Sequence, residues 1–438
     1  MPTSKPNKVS VLSFQVGFGD CYLLRFHYPG NRKRHVLIDF GSFPKAPWLK
    51  GTGMREVAQA IKKECKGKLD AVVATHRHAD HITGFTTKED DPGSVIASCK
   101  PKLVVQPWTE DPDARRNAKK PTASFMGSAK GLKGVAAEKA FDRGLNFVDS
   151  LDTMRTLLPI IEQQVARLRN ENQSFTANRL AFYGENGLSN LSAVENLMGM
   201  AKKGKARYVF FGADSGLEAV LPGVKVHVLG PPTLEQSDTI KAYAKKSDEY
   251  WLTQTRTAMW LKDEAALFSD VGSIKFESAP AHARWLIDRL RNLKSRQLLE
   301  IVRSLDKVLN NTSVILLFEV GGKKLLFPGD AQLENWSYAL QQPGIPELLS
   351  DVDFYKVGHH GSLNATPKTM VWENFSHRNN GLKTMVSTMK DVHGGEGGRP
   401  TEVPRETLVT ALKNESAFVT TEKLGKKAGK FVETTIDI

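Results

Sequence analysis

One buried-strand signal stops abruptly in a cluster of metal-binding side chains, and this feature limits the fold more than any other. Leu69 to Ala74 reads as a continuous β-type run, the pattern of a buried strand. His76, Arg77, His78, Ala79, Asp80 and His81 follow it directly, so that three of the 11 histidines fall within six positions. Imidazole nitrogens and a carboxylate are ligands that borderline Zn²⁺ prefers. In an extended turn, residues two apart point the same way, so His76 and His78 can converge on one ion. Asp80 and His81 then face a neighbouring position, where a second ion can sit about 3.5–4 Å away, as in two-metal hydrolase sites. A solvated polar loop with chance histidines is the plainer alternative, and the preceding strand argues against it.

Strand signals occupy both ends of the chain. Val9 to Val16, Cys21 to His27 and His35 to Asp39 are short apolar runs separated by the turns Gly17-Phe18-Gly19-Asp20 and Tyr28-Pro29-Gly30-Asn31. Met54 to Lys66 carries Val57, Ala60 and Ile61 at helical spacing, and Leu103 to Gln106 is the next strand. Between Glu110 and Lys205 the pattern turns helical, most clearly from Leu151 to Leu168. Strands return at Ala206 to Phe211 and Val224 to Leu229. A second helical stretch with Leu286, Leu290, Leu293, Ile301 and Leu305 on one face follows. Ser313 to Val320, a Gly321-Gly322 hairpin turn, Lys324 to Phe327, Phe354 to Val357 and Thr384 to Ser387 are the strand signals that follow, and Lys423 to Lys430 reads as a turn between short strands or as a solvated tail. An α/β protein results, in which two sheets carry two helical insertions, 110–205 and 233–310, within a single elaborated domain spanning 1–438.

With 438 residues, 40% hydrophobic and 25% charged, the chain can build a large core and is far from disordered composition. The net charge of +13 permits a polyanionic partner, DNA included, although it equally serves solubility. Three cysteines without Cys-x-x-Cys spacing offer neither a disulfide framework nor a thiolate zinc site, which suits a reducing compartment. The N-terminus lacks the apolar core of a secretory signal, and no apolar run approaches the ~20 residues of a spanning helix. A cytoplasmic protein without a membrane partner is the expectation.

Further candidate residues lie at strand ends. Asp39 closes His35-Val36-Leu37-Ile38, Asp330 closes Leu325-Leu326-Phe327-Pro328-Gly329, and His359-His360-Gly361-Ser362 follows Tyr355-Lys356-Val357-Gly358. Each alone is an ordinary turn or cap; their order and strand context raise them above that. Thr75-His76-Arg77-His78-Ala79-Asp80-His81 resembles the His-x-His-x-Asp-His signature of metallo-β-lactamase-fold hydrolases. Val16 to Cys21, Leu229 to Pro232 and His359 to Ser362 resemble in particular the soluble metallohydrolase domain of DNA-internalisation competence proteins, over roughly 9–108, 206–232 and 313–412.

The resemblance implies a four-layer αββα sandwich with helical insertions. It implies His76, His78, Asp80, His81, Asp330 and His359 as ligands of one or two Zn²⁺ ions, with Mn²⁺ possible, and Asp39 as a support behind the ligands. Asp80 and His360 become the catalytic candidates, Asp80 orienting water and the spare histidine protonating a leaving group or stabilising charge; Arg77 is a weaker candidate for the same task. Two departures stand out. Only His227 and His282 lie where a third histidine for the first ion is expected, and Thr401 to Pro404, with His393 upstream, stands where the competence proteins carry Gly-His-Pro. The implied function is a phosphodiesterase or nuclease that attacks nucleic acid with a metal-bound hydroxide. A hydrolase of a small phosphodiester or nucleotide signal, and a non-catalytic binding module with a degenerate metal site, are the alternatives.

Overall fold

The computed structural model describes residues 5–88, 90–113, 161–170, 190–202, 205–233, 310–362, 365–389 and 403–438, with a few isolated positions between them. Two mixed sheets and the helices against them make this an α/β protein. The first sheet holds β1 (Lys8–Phe14), β2 (Cys21–Tyr28), β3 (Arg32–Phe40), β4 (Ala71–Val73), β5 (Leu103–Pro107), β6 (Ala206–Val209) and β13 (Phe431–Asp437), in the order β13-β1-β2-β3-β4-β5-β6. The second holds β7 (Lys225–Gly230), β8 (Ile315–Val320), β9 (Lys323–Phe327), β10 (Phe354–Lys356), β11 (Lys383–Val386) and β12 (Ala417–Thr420), in the order β12-β11-β10-β9-β8-β7.

Each sheet is antiparallel on one side and parallel on the other. β3 to β6 run parallel, as do β9 to β12. Parallel neighbours need crossovers, and helices supply them. Gly53–Glu64 links β3 to β4, and Pro92–Ala97 links β4 to β5. Leu333–Leu340 and Ile345–Ser350 link β9 to β10, and Glu406–Glu415 links β11 to β12. Consequently the carboxyl ends of the parallel strands within each sheet share one edge, where α/β proteins gather ligand-binding loops.

Side-chain alternation explains why the strands read as nearly unbroken apolar runs. In β2, Tyr22, Leu24 and Phe26 join Leu316, Phe318, Leu325 and Phe327 of the second sheet in one cluster, whereas Leu23 joins Val57 and Ile61 of the helix Gly53–Glu64. In β8, Ile315 and Leu317 turn instead towards Trp336 and Leu340. Both faces of these strands are thus dry, which period-two geometry permits only when each face is covered. The two-residue turn Gly321-Gly322 joins β8 to β9 with φ of 56° and 83°, the positive values that a tight hairpin of matching twist requires.

The expected short strands around Lys423 to Lys430 are β12 and β13, and β13 pairs antiparallel with β1 from Lys8↔Asp437 to Phe14↔Phe431, so this polar stretch is a connection between strands and not a tail. Both helical insertions fall largely outside the described residues, as does the helix expected around Leu286 to Leu305. Within the first, 161–170 is helical with Ile161, Val165 and Leu168 buried, and Leu191–Met200 packs on the first sheet through Ala193 and Leu197. Among the described residues, no helix is long and apolar enough to cross a membrane.

His35 on β3 is buried, and burial, helped by the Arg25 charge, pushes its pKa down to about 4. An unfolded histidine titrates near 6.5, so between these values the unfolded chain binds the extra proton. Stability should be present above pH 6.5 and decline as pH falls to 4, His35 contributing on the order of 3 kcal/mol. Urea midpoints at pH 7 and pH 4.5 should therefore converge more closely in His35→Gln than in the wild type; the same pH dependence in both would contradict this.

Candidate metal centre

The loop after β4 is fixed to the end of β3 by one carboxylate. Asp39, at φ 55°, accepts hydrogen bonds from Thr75 N and Thr75 Oγ1, both at 2.7 Å, and from His81 Nδ1 at 2.8 Å. A carboxylate only accepts, so His81 Nδ1 carries the hydrogen and Nε2 is the atom turned inward. Gly41 lets the chain leaving β3 lie directly on this loop, because a Cβ there would overlap His81 N and the Asp80 carbonyl carbon. Val314 N donates to Thr75 O at 2.9 Å, which joins the same loop to the second sheet at the start of β8.

Strand ends of the second sheet complete the arrangement. Asp330 follows β9 after Gly329, whose φ is 57° and whose hydrogen faces Thr75. Its Oδ2 lies 3.0 Å from His81 Nε2, 3.8 Å from His360 Nε2 and 3.7 Å from His359 Nε2. His360 donates from Nδ1 to Ser387 O at 2.9 Å, leaving Nε2 facing Asp80 Oδ2 at 3.1 Å. One ligand atom from each of Asp80, His81, Asp330 and His360 lies within 4.8 Å of the others, and all four residues are buried. Neither oxygen of Asp330 and not Asp80 Oδ1 makes a hydrogen bond of acceptable geometry. Two imidazoles anchored through Nδ1, with two carboxylates beside their Nε2 atoms, form a donor set that could hold a metal ion.

Of the two adjacent histidines, between which the sequence does not choose a metal ligand, His360 belongs to the four-residue cluster. His359 is turned outward, with its side chain 26% exposed and its Nδ1 2.9 Å from Ser362 Oγ. Both have positive φ, 44° and 52°, a left-handed conformation that costs energy for residues with a Cβ. Two successive left-handed residues break the simple alternation of side chains, so spacing alone does not tell which ring turns inward. His76 and His78 stand together beside this cluster: His76 Nε2 is 3.0 Å from His78 Nδ1, and the His76 and His81 ring centroids are 4.1 Å apart. Among the described residues, no third His, Cys, Asp or Glu gathers with this pair at the spacing of the four-residue cluster. His227 pairs instead with Glu319 at 3.1 Å across β7 and β8, while His282 and His393 lie outside the described residues. Arg77 is committed to Glu110, at 2.8 and 2.5 Å.

Two charged residues complete the site without having been singled out from sequence. Asp20, after the first turn, pairs with the ammonium of Lys356 and lies 3.5 Å from His360 Nδ1 and 3.8 Å from His81 Nδ1. Lys356, buried at the end of β10, donates to Gly329 O at 3.1 Å and stands 3.6 Å from Asp330 Oδ1. A lysine inside the apolar run Phe354 to Val357 is the signal that could have disclosed it, since an unpaired lysine is almost never fully buried.

The electrostatics follow this crowding. Burial opposes the charge on Asp80, yet His81 and the hydrogen bond from His360 outweigh it and hold the carboxyl well below its usual range. Asp330 is likewise held low against burial by His81, His359 and His360. His81 is raised, burial being overcome by Asp330, Asp39 and Asp80, and His360 is raised by Asp20 and Asp330. Burial, with the charge of His81 adding to it, lowers His76; burial also lowers His78, to about 4, so that both imidazoles favour the neutral form in which nitrogen can ligate.

No protein-family model matches the chain, and no curated protein matches it. The site therefore stands on its own residues. Removing the support behind His81 in Asp39→Ala should weaken divalent-cation binding about 10–100-fold in a chelator-competition titration, since partners that orient a ligand have that influence. Unchanged affinity would contradict the positioning role of Asp39.

Proposed function

We propose that the protein is a metal-dependent hydrolase of the metallo-β-lactamase fold, its two sheets packed face to face between helices as a four-layer sandwich. Its substrate is a phosphodiester, with nucleic acid the preferred class. The observation that carries this reading is the convergence of Asp80, His81, Asp330 and His360 at the carboxyl edge of the parallel strands. Zn²⁺ suits two imidazoles and two carboxylates, and Mn²⁺ is the alternative. A divalent ion held there supplies Lewis acidity and lowers the pKa of water towards neutrality.

The chain's own groups have separable tasks. Asp80, His81, Asp330 and His360 would hold the ion, and Asp39 and the Ser387 carbonyl fix the two imidazoles in the ligating tautomer. His359, partly exposed and oriented by Ser362, is the group available to protonate a leaving oxygen, the task expected of His360 from sequence. His76 and His78 border the same centre and would provide for a second ion or for substrate phosphate. The +13 charge of the chain favours an anionic polymer over a neutral substrate.

Purified protein should contain at least one equivalent of Zn or Mn and hydrolyse bis(p-nitrophenyl) phosphate. Asp80→Ala should reduce turnover to background while retaining the wild-type circular dichroism spectrum, and His78→Ala should lower it to the extent that a second ion or a phosphate contact beside His76 contributes. Full turnover in Asp80→Ala would remove the assignment, and protein that neither contains nor binds a divalent ion would leave a binding module. Cleavage of linear DNA, with binding that weakens steeply between 50 and 200 mM salt as phosphate contacts require, separates a nuclease from an enzyme of small phosphodiesters.

A further inference from the structure

Four buried carboxylates, Asp20, Asp39, Asp80 and Asp330, surround His81. The ammonium that meets them is that of Lys356, whose side chain is 3% exposed. It pairs with Asp20, donates to the Gly329 carbonyl at 3.1 Å, lies 3.6 Å from Asp330 Oδ1 and stands 5.9 Å from the centroid of the Tyr22 ring. Asp330 is thereby divided. Its Oδ1 faces the ammonium, while Oδ2 faces the imidazoles of His81, His359 and His360. Asp20, Asp39 and His81 also lie within 4.8 Å of one another, but Asp20 is taken by Lys356 and Asp39 by Thr75 and His81, so this second grouping is a support and not a separate ion site.

We propose that Lys356 is a positioning residue and internal counter-cation of the metal centre: fixed by Asp20 and the Gly329 carbonyl, its ammonium turns Asp330 Oδ2 towards the ligand cluster and moderates how strongly the centre draws a divalent ion. The inference rests on reading the cluster as a metal centre. With neutral imidazoles, the four carboxylates and the ammonium carry a net charge of −3. Loss of the ammonium raises this to −4, which leaves Asp20 buried without its partner and increases the attraction for a dication. Loss of the Asp20 charge as well returns the centre to −3.

The test compares wild type, Lys356→Met and the double variant Asp20→Asn/Lys356→Met. Thermal unfolding is followed with chelator and with excess Zn²⁺ or Mn²⁺, and cation affinity is measured by competition with a chromophoric chelator. Lys356→Met should lose stability when metal-free, gain more in Tm from the cation than the wild type does, and bind it on the order of tenfold more tightly. The double variant should return towards the wild type in both readouts. A merely structural lysine predicts otherwise: Lys356→Met would be destabilised equally with and without cation, its affinity would be unchanged, and Asp20→Asn would restore stability without moving cation affinity. That pattern overturns the proposal. If Lys356→Met does not fold under any condition, the double variant decides, its folding supporting the pair and its failure refuting it. A wild type indifferent to both cations would instead refute the metal centre itself, an outcome visible before any variant is compared.

Discussion

Burying four carboxylates against one another is the constraint on which the rest of this structure depends. Two like charges 4 Å apart repel by about 4 kcal/mol even at an effective dielectric of 20, so Asp20, Asp39, Asp80 and Asp330 cannot share a dry site unless opposing charges and hydrogen-bond donors reach them. The fold delivers those partners from separate strand ends. Thr75 and His81 meet Asp39, Lys356 meets Asp20 and Asp330, and His360 meets Asp80. No local segment of the chain could assemble this set alone.

The sheet arrangement makes the convergence possible. Because β3 and β4 run parallel, as do β9, β10 and β11, the residues leaving them emerge at one edge of each sheet. The two edges are then tied together, through Val314 N to Thr75 O and through the close approach of Gly329 to Thr75. Strain is concentrated where the chain must turn most sharply to aim a ligand. His359 and His360 adopt left-handed backbone, and bonds from His359 N to Gly329 O and from Ser362 N to His359 O hold them there. Such conformations persist when the surroundings over-determine them, and they recur at functional sites.

Much of this was legible in the order of residues, and the remainder was hidden for identifiable reasons. The central strands announced themselves because both faces are buried, so that Leu69 to Ala74 and Lys324 to Phe327 read as strand runs leading to His76 and Asp330. The outer strands were legible only as short strands without bounds on either side of Lys423 to Lys430. Ala417–Thr420 and Phe431–Asp437 are largely half-exposed, and pairing with β11 and β1 fixes their extent. Asp20 resembled any acid in a glycine-rich turn, and although Lys356 stood out inside an apolar run, its partner 336 positions away could not be read from either local segment. The neighbours His359 and His360 carry no spacing that distinguishes the inward from the outward ring; only their dihedral angles do.

The account stands or falls on where a divalent ion binds, and anomalous diffraction from crystals of the zinc-loaded protein measures that directly. A single strong peak bounded by Asp80, His81, Asp330 and His360, with or without a second beside His76 and His78, is the expected result. An ion held elsewhere, with Asp330 and His360 taking no part in its coordination, would contradict the account.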